Sequence, residues 1–183
     1  MQHDVIMAGF GGQGILLIGK MLAYAGMREG KEVSWLPSYG PEMRGGTANC
    51  TVVISDRPVG SPVIQSPRAV VALNLPSLDK FESDVRVGGL LLVNTSLIER
   101  KPTRTDVTVI DVPANQIANE LGNRRGANMV ALGAYLGATD AVSVDEIVEV
   151  IRETFAAKPG VVDININALH RGHEIGAACT VGV

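Results

Sequence analysis

Short runs of apolar residues alternate along this chain with longer segments in which apolar side chains recur every three or four positions. The short runs predict strands, because a strand covered on both faces is apolar almost throughout its length. The predicted strands span residues 5–8, 32–36, 48–55, 69–73, 90–93 and 107–112. The longer segments predict helices over residues 15–29, 113–121, 127–136, 144–155 and 163–177.

The order of these elements predicts the fold class. Strands that alternate with helices indicate a three-layer α/β domain with a mainly parallel, Rossmann-like sheet. The first strand, the helix after it and the strand at 32–36 form a β-turn-α-β unit, whose crossover is expected to be right-handed. No internal repeat or linker divides the 183 residues, so we expect a single α/β domain over residues 1–183.

Composition narrows the class of protein. Hydrophobic residues make up 46% and charged residues 19%, which is typical of a globular protein and argues against disorder. A net charge of −3 and an aromatic content of 4% argue against nucleic acid as a partner. No apolar run approaches the roughly 20 residues that cross a bilayer, and the first residues do not form a signal peptide. Cys50 and Cys179 form no CxxC pair, so we expect a cytoplasmic protein with no membrane partner and no disulfide framework.

A glycine-rich turn lies between the first predicted strand and the first predicted helix. Gly9, Gly11 and Gly14 match G-x-G-x-x-G, which in this context is typical of dinucleotide-binding turns. Glycines let the backbone approach a phosphate, and the helix N-terminus adds free N–H groups and a positive dipole end. A ribose-binding acid is expected roughly 20 residues later, but Glu32 lies at the wrong end of its strand. Ordinary NAD binding is therefore disfavoured, and a phosphate contact or a tight turn without a ligand remain as alternatives.

A second polar loop, residues 37–47, follows the strand at 32–36. In an open parallel sheet this loop lies beside the glycine turn at the carboxyl edge, where ligands bind. Arg44 is able to hold a carboxylate or phosphate in bidentate fashion. The alternative is a structural loop in which Glu42 and Arg44 pair with each other or with a neighbouring subunit.

These two motifs together resemble the gamma subunit of the 2-oxoacid:ferredoxin oxidoreductases. The resemblance extends through Asn49 and Cys50 and through the stretch at residues 75–81. It implies membership of a complex that decarboxylates a 2-oxoacid on thiamine diphosphate, passes electrons through iron–sulfur clusters to ferredoxin and transfers the acyl group to coenzyme A. Phe10, Tyr39 and Met43 make the chain look more like the 2-oxoglutarate branch, or a branched-chain one, than the pyruvate branch.

The chain lacks the residues that this chemistry needs. An iron–sulfur cluster takes about four cysteine thiolates, and this sequence has two cysteines. No segment has the pattern of a thiamine diphosphate site. His170, His173 and Glu174 form a weak metal-site pattern without a further ligand, so a solvated helix face is the preferred interpretation. We therefore expect no cofactor or metal on the isolated chain, which should be inactive.

The resemblance implies that alpha, beta and delta subunits are partners and that ferredoxin is reached through the complex. We expect the isolated chain to form a homodimer, because separation exposes apolar surface that the partners cover. The turn and the second loop are expected to form one wall of the coenzyme A or acyl-transfer site, with no catalytic residue in this chain. Two other hypotheses remain, a stand-alone dinucleotide-binding dehydrogenase and a purely structural assembly subunit. The candidate cofactor-binding residues are Gly9, Gly11, Gly12, Gln13, Gly14, Tyr39, Gly40, Glu42, Arg44 and Gly45.

Overall fold

The computed structural model describes residues 1–39 and 47–179. Its strands are β1 (Gln2–Phe10), β2 (Glu32–Tyr39), β3 (Thr47–Ser55), β4 (Ala69–Ala72), β5 (Leu90–Asn94) and β6 (Thr108–Val112). Its α-helices are α1 (Ile15–Arg28), α2 (Leu75–Phe81), α3 (Ala114–Glu120), α4 (Ala127–Thr139), α5 (Val144–Thr154) and α6 (Pro159–Ala177). The strands form a six-stranded sheet in the order β2-β3-β1-β4-β5-β6.

The sheet is mainly parallel, as predicted, with one strand reversed. β1, β4, β5 and β6 are parallel neighbours, whereas β3 is antiparallel to both β1 and β2. The predicted β-turn-α-β unit is present, because β1 and β2 are parallel and are joined by α1, although β3 lies between the two strands in the sheet. β3 is reversed because the connection from β2 to β3 spans only residues 40–46 and is too short for a parallel crossover.

Helices cover both faces of the sheet, which confirms the three-layer architecture. Met7, Val52 and Leu92 lie on the face that packs against α1 and α3 to α6. Ile6 and Val70 lie on the other face, in a smaller cluster with residues of α2. The alternation of side chains along each strand explains this division, because successive residues point to opposite faces.

The contact between α4 and α6 is made through glycines. A Cβ atom built on Gly133 would lie 1.9 Å from the backbone oxygen of Leu169, and one on Gly172 would lie 1.9 Å from that of Val130. Gly137 and Gly176 make the same kind of contact one turn further along. The two helices therefore touch backbone to backbone, and α4 is buried along almost its whole length.

Two helices differ from the predictions. α2 was not predicted as a helix, although Asn74 accepts a hydrogen bond from the Ser77 backbone N–H at 2.9 Å and so caps its first turn. α6 begins at Pro159 rather than at residue 163, which fits the preference of proline for the first helical turn. Over the described residues, no helix combines the length and apolar character needed to span a membrane.

Candidate functional site

The glycine turn takes its shape from two left-handed backbone positions. Gly12 has φ 95° and Gly14 has φ 74°, values that side chains other than glycine rarely adopt. The Gln13 N–H donates to the carbonyl of Phe10 at 3.1 Å and closes the turn. Gly11 lies half-buried in the same turn. The pattern read from the sequence therefore describes a tight β1-to-α1 connection, and at Gly12 and Gly14 the backbone conformation itself favours glycine.

The space around these glycines differs from one to the next. A Cβ on Gly9 would lie 2.5 Å from the Gln13 side-chain oxygen, and one on Gly14 would lie 2.3 Å from Asn128 Nδ2. A Cβ on Gly12 would meet no described atom within 4 Å. Gly9 and Gly14 are thus enclosed by the protein, whereas Gly12 faces open space in front of α1.

The first turn of α1 has no capping group from the described part of the chain. Gly14 occupies the N-cap position without a side chain, and no acidic residue lies in the first turn. The leading N–H groups of a helix have no partner within the helix, and together they carry roughly half a positive charge. This helix start is therefore suited to an anionic group.

The side chain of Gln13 ties the turn to the neighbouring strand. Its Oε1 accepts a hydrogen bond from the Phe10 N–H at 2.6 Å and a longer one from Asn74 Nδ2 at 3.4 Å. Asn74 follows β4, the parallel neighbour of β1, and caps α2 on the opposite face. Chain connections leave β1 and β4 toward opposite sides of the sheet, so the turn lies at the point where open α/β sheets bind ligands.

The second loop is only partly described. Gly40, Glu42, Arg44 and Gly45 lie outside the described residues, and Tyr39 is the last residue of β2. Ala48 of β3 pairs with Gly9 on one side and with Tyr39 on the other. β1 and β2 therefore end at the same edge of the sheet, separated only by β3.

A cleft on the helix side of the turn contains residues that the sequence analysis missed. It has a volume of about 350 Å³ and is bounded by the starts of α1, α4 and α6. Its charged lining residues are Arg125, two residues before the start of α4, and Lys158, directly before α6. The signal was present in the sequence as cations next to Gly126 and Pro159, but only the fold brings these two helix starts to the glycine turn.

The cysteines and histidines do not fit a metal or cluster site. Cys50 is fully buried, and burial raises the pKa of its thiol to about 12, whereas cluster ligands are thiolates. Cys179 is exposed at the end of the described chain. His170 and His173 lie on α6, and no group of three or more potential metal ligands occurs within residues 1–39 and 47–179.

Comparison with known proteins agrees with the motifs. The sequence model of the pyruvate ferredoxin/flavodoxin oxidoreductase family matches residues 4–175. The chain belongs to this family. Membership of the pyruvate ferredoxin/flavodoxin oxidoreductase family confirms the resemblance carried by the glycine turn and the segments that follow it.

Relatives within the family differ in substrate and in length. The chain is 45% identical over 172 residues to ketoisovalerate oxidoreductase subunit VorA of Methanothermobacter marburgensis, covering 93% of this chain and 36% of VorA. It is 35% identical over 178 residues to 2-oxoglutarate synthase subunit KorC of Methanocaldococcus jannaschii, covering 96% of this chain and 94% of KorC. The chain thus spans about a third of VorA and nearly all of KorC.

Solved structures show the same fold as a separate gamma subunit and as part of a longer chain. The gamma subunit of a keto/oxoacid ferredoxin oxidoreductase from Geobacter sulfurreducens superposes with a TM-score of 0.82 at 31% identity, covering 96% of this chain and 99% of that one. A 2-oxoglutarate:ferredoxin oxidoreductase from Magnetococcus marinus, solved with 2-oxoglutarate, coenzyme A and succinyl-CoA bound, gives a TM-score of 0.91 at 25% identity. It covers 99% of this chain and 32% of the longer chain.

Proposed function

We propose that this chain is the gamma subunit of a 2-oxoacid:ferredoxin oxidoreductase that performs coenzyme A-dependent oxidative decarboxylation. Thiamine diphosphate and the iron–sulfur clusters belong in this proposal to the alpha, beta and delta subunits, through which ferredoxin is reduced. The isolated chain is inactive, because two cysteines cannot supply the four thiolates of a cluster. Family membership and the similarity to a separate gamma subunit support this assignment.

The contribution of this chain is one wall of the coenzyme A or acyl-transfer site. The single observation that carries this step is the open space at Gly12, directly in front of a helix start that no described side chain caps. A phosphate at this place would meet backbone N–H groups and the positive end of the helix dipole. Gly9, Gly11, Gln13 and Gly14 shape this turn.

The second loop supplies the other part of the proposed wall. Tyr39 ends β2, and Gly40, Glu42, Arg44 and Gly45 follow it in the sequence. This end of β2 lies at the same edge of the sheet as the glycine turn. Arg44 contributes the cation, and charge-assisted hydrogen bonds to phosphate are among the strong ones. Glu42 positions Arg44 or a partner loop.

The proposed substrate is 2-oxoglutarate, on the resemblance carried by Phe10, Tyr39 and Met43. The higher identity to a ketoisovalerate oxidoreductase subunit, 45% against 35% for the 2-oxoglutarate synthase subunit, favours a branched-chain 2-oxoacid as the second candidate. Ferredoxin reduction by the purified complex, measured with 2-oxoglutarate and with ketoisovalerate, decides between them. The proposed substrate should give the larger kcat/KM.

The coenzyme A wall is tested in the reconstituted complex with Gly12→Val and Arg44→Ala. Both changes should raise the KM for coenzyme A, and loss of one charged hydrogen bond, worth roughly 1.5–3 kcal/mol, corresponds to about tenfold to a hundredfold. Gly30→Val is the matched control, since Gly30 has φ 73° and open space around it but lies beyond the other end of α1. Normal assembly with wild-type coenzyme A kinetics in both site variants would refute the proposed wall and favour a purely structural subunit.

A further inference from the structure

Two buried asparagines connect the carboxyl ends of the parallel strands. Asn74 follows β4 and Asn94 ends β5, and the two residues are 2% and 0% exposed. Each accepts an N–H at the start of the next helix, from Ser77 at 2.9 Å in α2 and from Ala114 at 3.1 Å in α3. Each also donates through Nδ2 to a residue that follows the neighbouring parallel strand, which is β1 for Asn74 and β4 for Asn94.

The backbone determines which way the Asn74 amide points. A backbone N–H can only donate, so the Asn74 atom that faces the Ser77 N–H is the oxygen, Oδ1. Nδ2 is thereby directed toward Gln13, whose Oε1 it approaches at 3.4 Å. Asn94 fixes the peptide bond before Asn74, since its Nδ2 donates to the Leu73 carbonyl at 3.1 Å. Both the backbone and the side chain of Asn74 are therefore held in place.

The same reasoning orients the amide of Gln13. The Phe10 N–H donates to it at 2.6 Å, so the atom on the protein side is Oε1, which also lies 2.5 Å from the place of a Cβ atom on Gly9. No described residue accepts a hydrogen bond from Gln13 Nε2. Trp35 Nε1 is the one buried side-chain N or O atom without a partner in the described part of the chain, so Nε2 is open to solvent. Gln13 therefore offers a free donor at the glycine turn.

Hydrogen bonds, rather than packing, select this orientation of Gln13. The oxygen and the nitrogen of a carboxamide have nearly the same size, so both orientations of the amide fit the same space. A reversed amide would place Nε2 against the Phe10 N–H and Asn74 Nδ2, and three donors would then meet without an acceptor. Asn74 thus contributes one of the two donors that keep Oε1 on the protein side.

We propose that Asn74 is a positioning residue, which orients Gln13 so that Nε2 donates to an acceptor oxygen of the bound ligand. Asn74 is buried and does not line the cleft, whereas Gln13 does. The role in binding rests on the proposed function, because the ligand at the glycine turn is there coenzyme A. The orientation of the Gln13 amide is a property of this chain alone and is measurable without a ligand.

The decisive variant is Asn74→Asp, which removes the donor and keeps the cap. Aspartate is as good an N-cap residue as asparagine, so the hydrogen bond from the Ser77 N–H is retained. The second carboxylate oxygen takes the place of Nδ2 and opposes Gln13 Oε1, which is also an acceptor. The Gln13 amide should reverse and donate from Nε2 to the carboxylate, a charge-assisted hydrogen bond. The Phe10 N–H then loses its acceptor, and the ligand meets Oε1 in place of Nε2.

Kinetics of the reconstituted complex measure the effect on binding. Asn74→Asp should raise the KM for coenzyme A about threefold to tenfold, the range for loss of one hydrogen bond, and should leave kcat within about twofold. Asn115→Asp is the matched control, because it adds the same charge where β6 ends and α3 begins. Its Oδ1 already accepts from Asn94 Nδ2 at 2.8 Å, so a carboxylate keeps that bond. The control should change the KM less than about twofold.

A double variant tests whether Asn74 acts through Gln13. Gln13→Ala removes the amide and should raise the KM for coenzyme A by about the same factor as Asn74→Asp. In the Gln13→Ala background, Asn74→Asp should add less than about twofold, because no amide remains to be reversed. A purely structural role of Asn74 would instead give two effects that multiply. The melting temperature of Asn74→Asp should stay within about 4 °C of wild type, since the cap of α2 is kept.

The orientation itself is read by NMR in the isolated full chain. In Asn74→Asp the Phe10 backbone N–H resonance should move upfield, because its acceptor is lost. The Gln13 Nε2 protons should move downfield, because they donate to a carboxylate. Asn115→Asp should leave both resonances at their wild-type positions.

The outcomes separate this proposal from the proposed coenzyme A wall. Unchanged Phe10 and Gln13 resonances in Asn74→Asp would overturn the proposal. Multiplying KM effects in the double variant would also overturn it, as would a wild-type KM in Asn74→Asp beside a raised KM in Gly12→Val, and both results would leave the wall intact. Wild-type coenzyme A kinetics in Gly12→Val and Arg44→Ala, together with shifted resonances in Asn74→Asp, would refute the wall and support the orientation of Gln13 by Asn74.

Discussion

Glycine has different roles in the α4–α6 contact and at Gly12 of the β1–α1 turn. At Gly172 the place of a Cβ atom is already taken, since the Val130 backbone oxygen lies 1.9 Å from it. At Gly12 that place is empty of described atoms within 4 Å, and glycine is favoured by a φ of 95°. The helix contact excludes every additional atom, whereas the turn leaves room for one that is not part of this chain.

The glycines of the helix contact should therefore matter for stability, and Gly12 of the turn for binding. A glycine in contact with another backbone cannot be replaced without moving a helix, because backbone atoms cannot rotate away as a side chain does. A glycine that faces open space can be replaced at the cost of local backbone strain alone. Substitutions at the two places should therefore differ in size and in the property that they change.

The largest effect is expected for Gly172→Ala. Alanine is the better helix former, but its Cβ would overlap the Val130 oxygen and force α6 away from α4. We expect the free energy of unfolding to fall by about 3 kcal/mol or more, beyond the usual cost of overpacking. Urea denaturation followed by circular dichroism measures this loss.

The control for this substitution lies in the same helix. Gly160 is in the first turn of α6, and a Cβ atom there would meet no described atom within 4 Å. Gly160→Ala should be neutral or stabilising by up to about 1 kcal/mol, as expected from helix propensity. Equal losses for Gly160→Ala and Gly172→Ala would show that the close contact of α4 with α6 contributes little.

The sequence predicted the layers of the fold because its apolar runs match the buried strands. Residues 69–73 and 90–93 were predicted as strands and form β4 and β5 with small changes at their ends. The reversal of β3 was missed because the apolar pattern at 48–55 carries no direction, and only the short connection at 40–46 requires a hairpin. α2 was missed because a seven-residue helix has too few turns for its period to be recognised, although Asn74 and Pro76 mark its start.

The candidate site was predictable only where its residues are adjacent in sequence. Gly9 to Gly14 form one motif, so their turn between β1 and α1 could be predicted from local spacing. Arg125 and Lys158 lie more than a hundred residues later, and nothing in their spacing relates them to Gly12. Their approach to the turn depends on the packing of α4 and α6, which in turn depends on Gly172 and the other contact glycines.

A smaller effect is expected at Gly19, where the obstacle is a side chain. A Cβ on Gly19 would lie 2.3 Å from Cys50 Sγ and 3.2 Å from Trp35 Nε1. Gly19→Ala should destabilise by about 1–3 kcal/mol, the usual range for overpacking. The fluorescence of Trp35, the single tryptophan, should report the unfolding in urea.

The double variant tests the cause of that loss. In Gly19→Ala with Cys50→Ala the thiol is gone, so the new methyl group occupies part of the space that Sγ leaves. The combined loss should be smaller than the sum of the two single losses by about 1 kcal/mol, as expected for residues in direct contact. Additive losses would mean that the Cys50 side chain is not the obstacle to a methyl group at position 19.

Gly12→Ala and Gly30→Ala should both change the stability only slightly. Comparing the two variants tests whether the open space at Gly12 serves binding. Both glycines have positive φ, 95° and 73°, and neither has a described atom within 4 Å of its Cβ position. Each alanine should therefore cost about 1 kcal/mol of backbone strain and nothing from packing. The two variants should unfold at nearly the same urea concentration, yet only Gly12→Ala should weaken binding of pyrophosphate or coenzyme A, because only its methyl group stands in front of the start of α1. A Gly12→Ala variant much less stable than Gly30→Ala would instead assign the turn to packing, since a Cβ atom there would then be meeting protein rather than the space kept for a ligand.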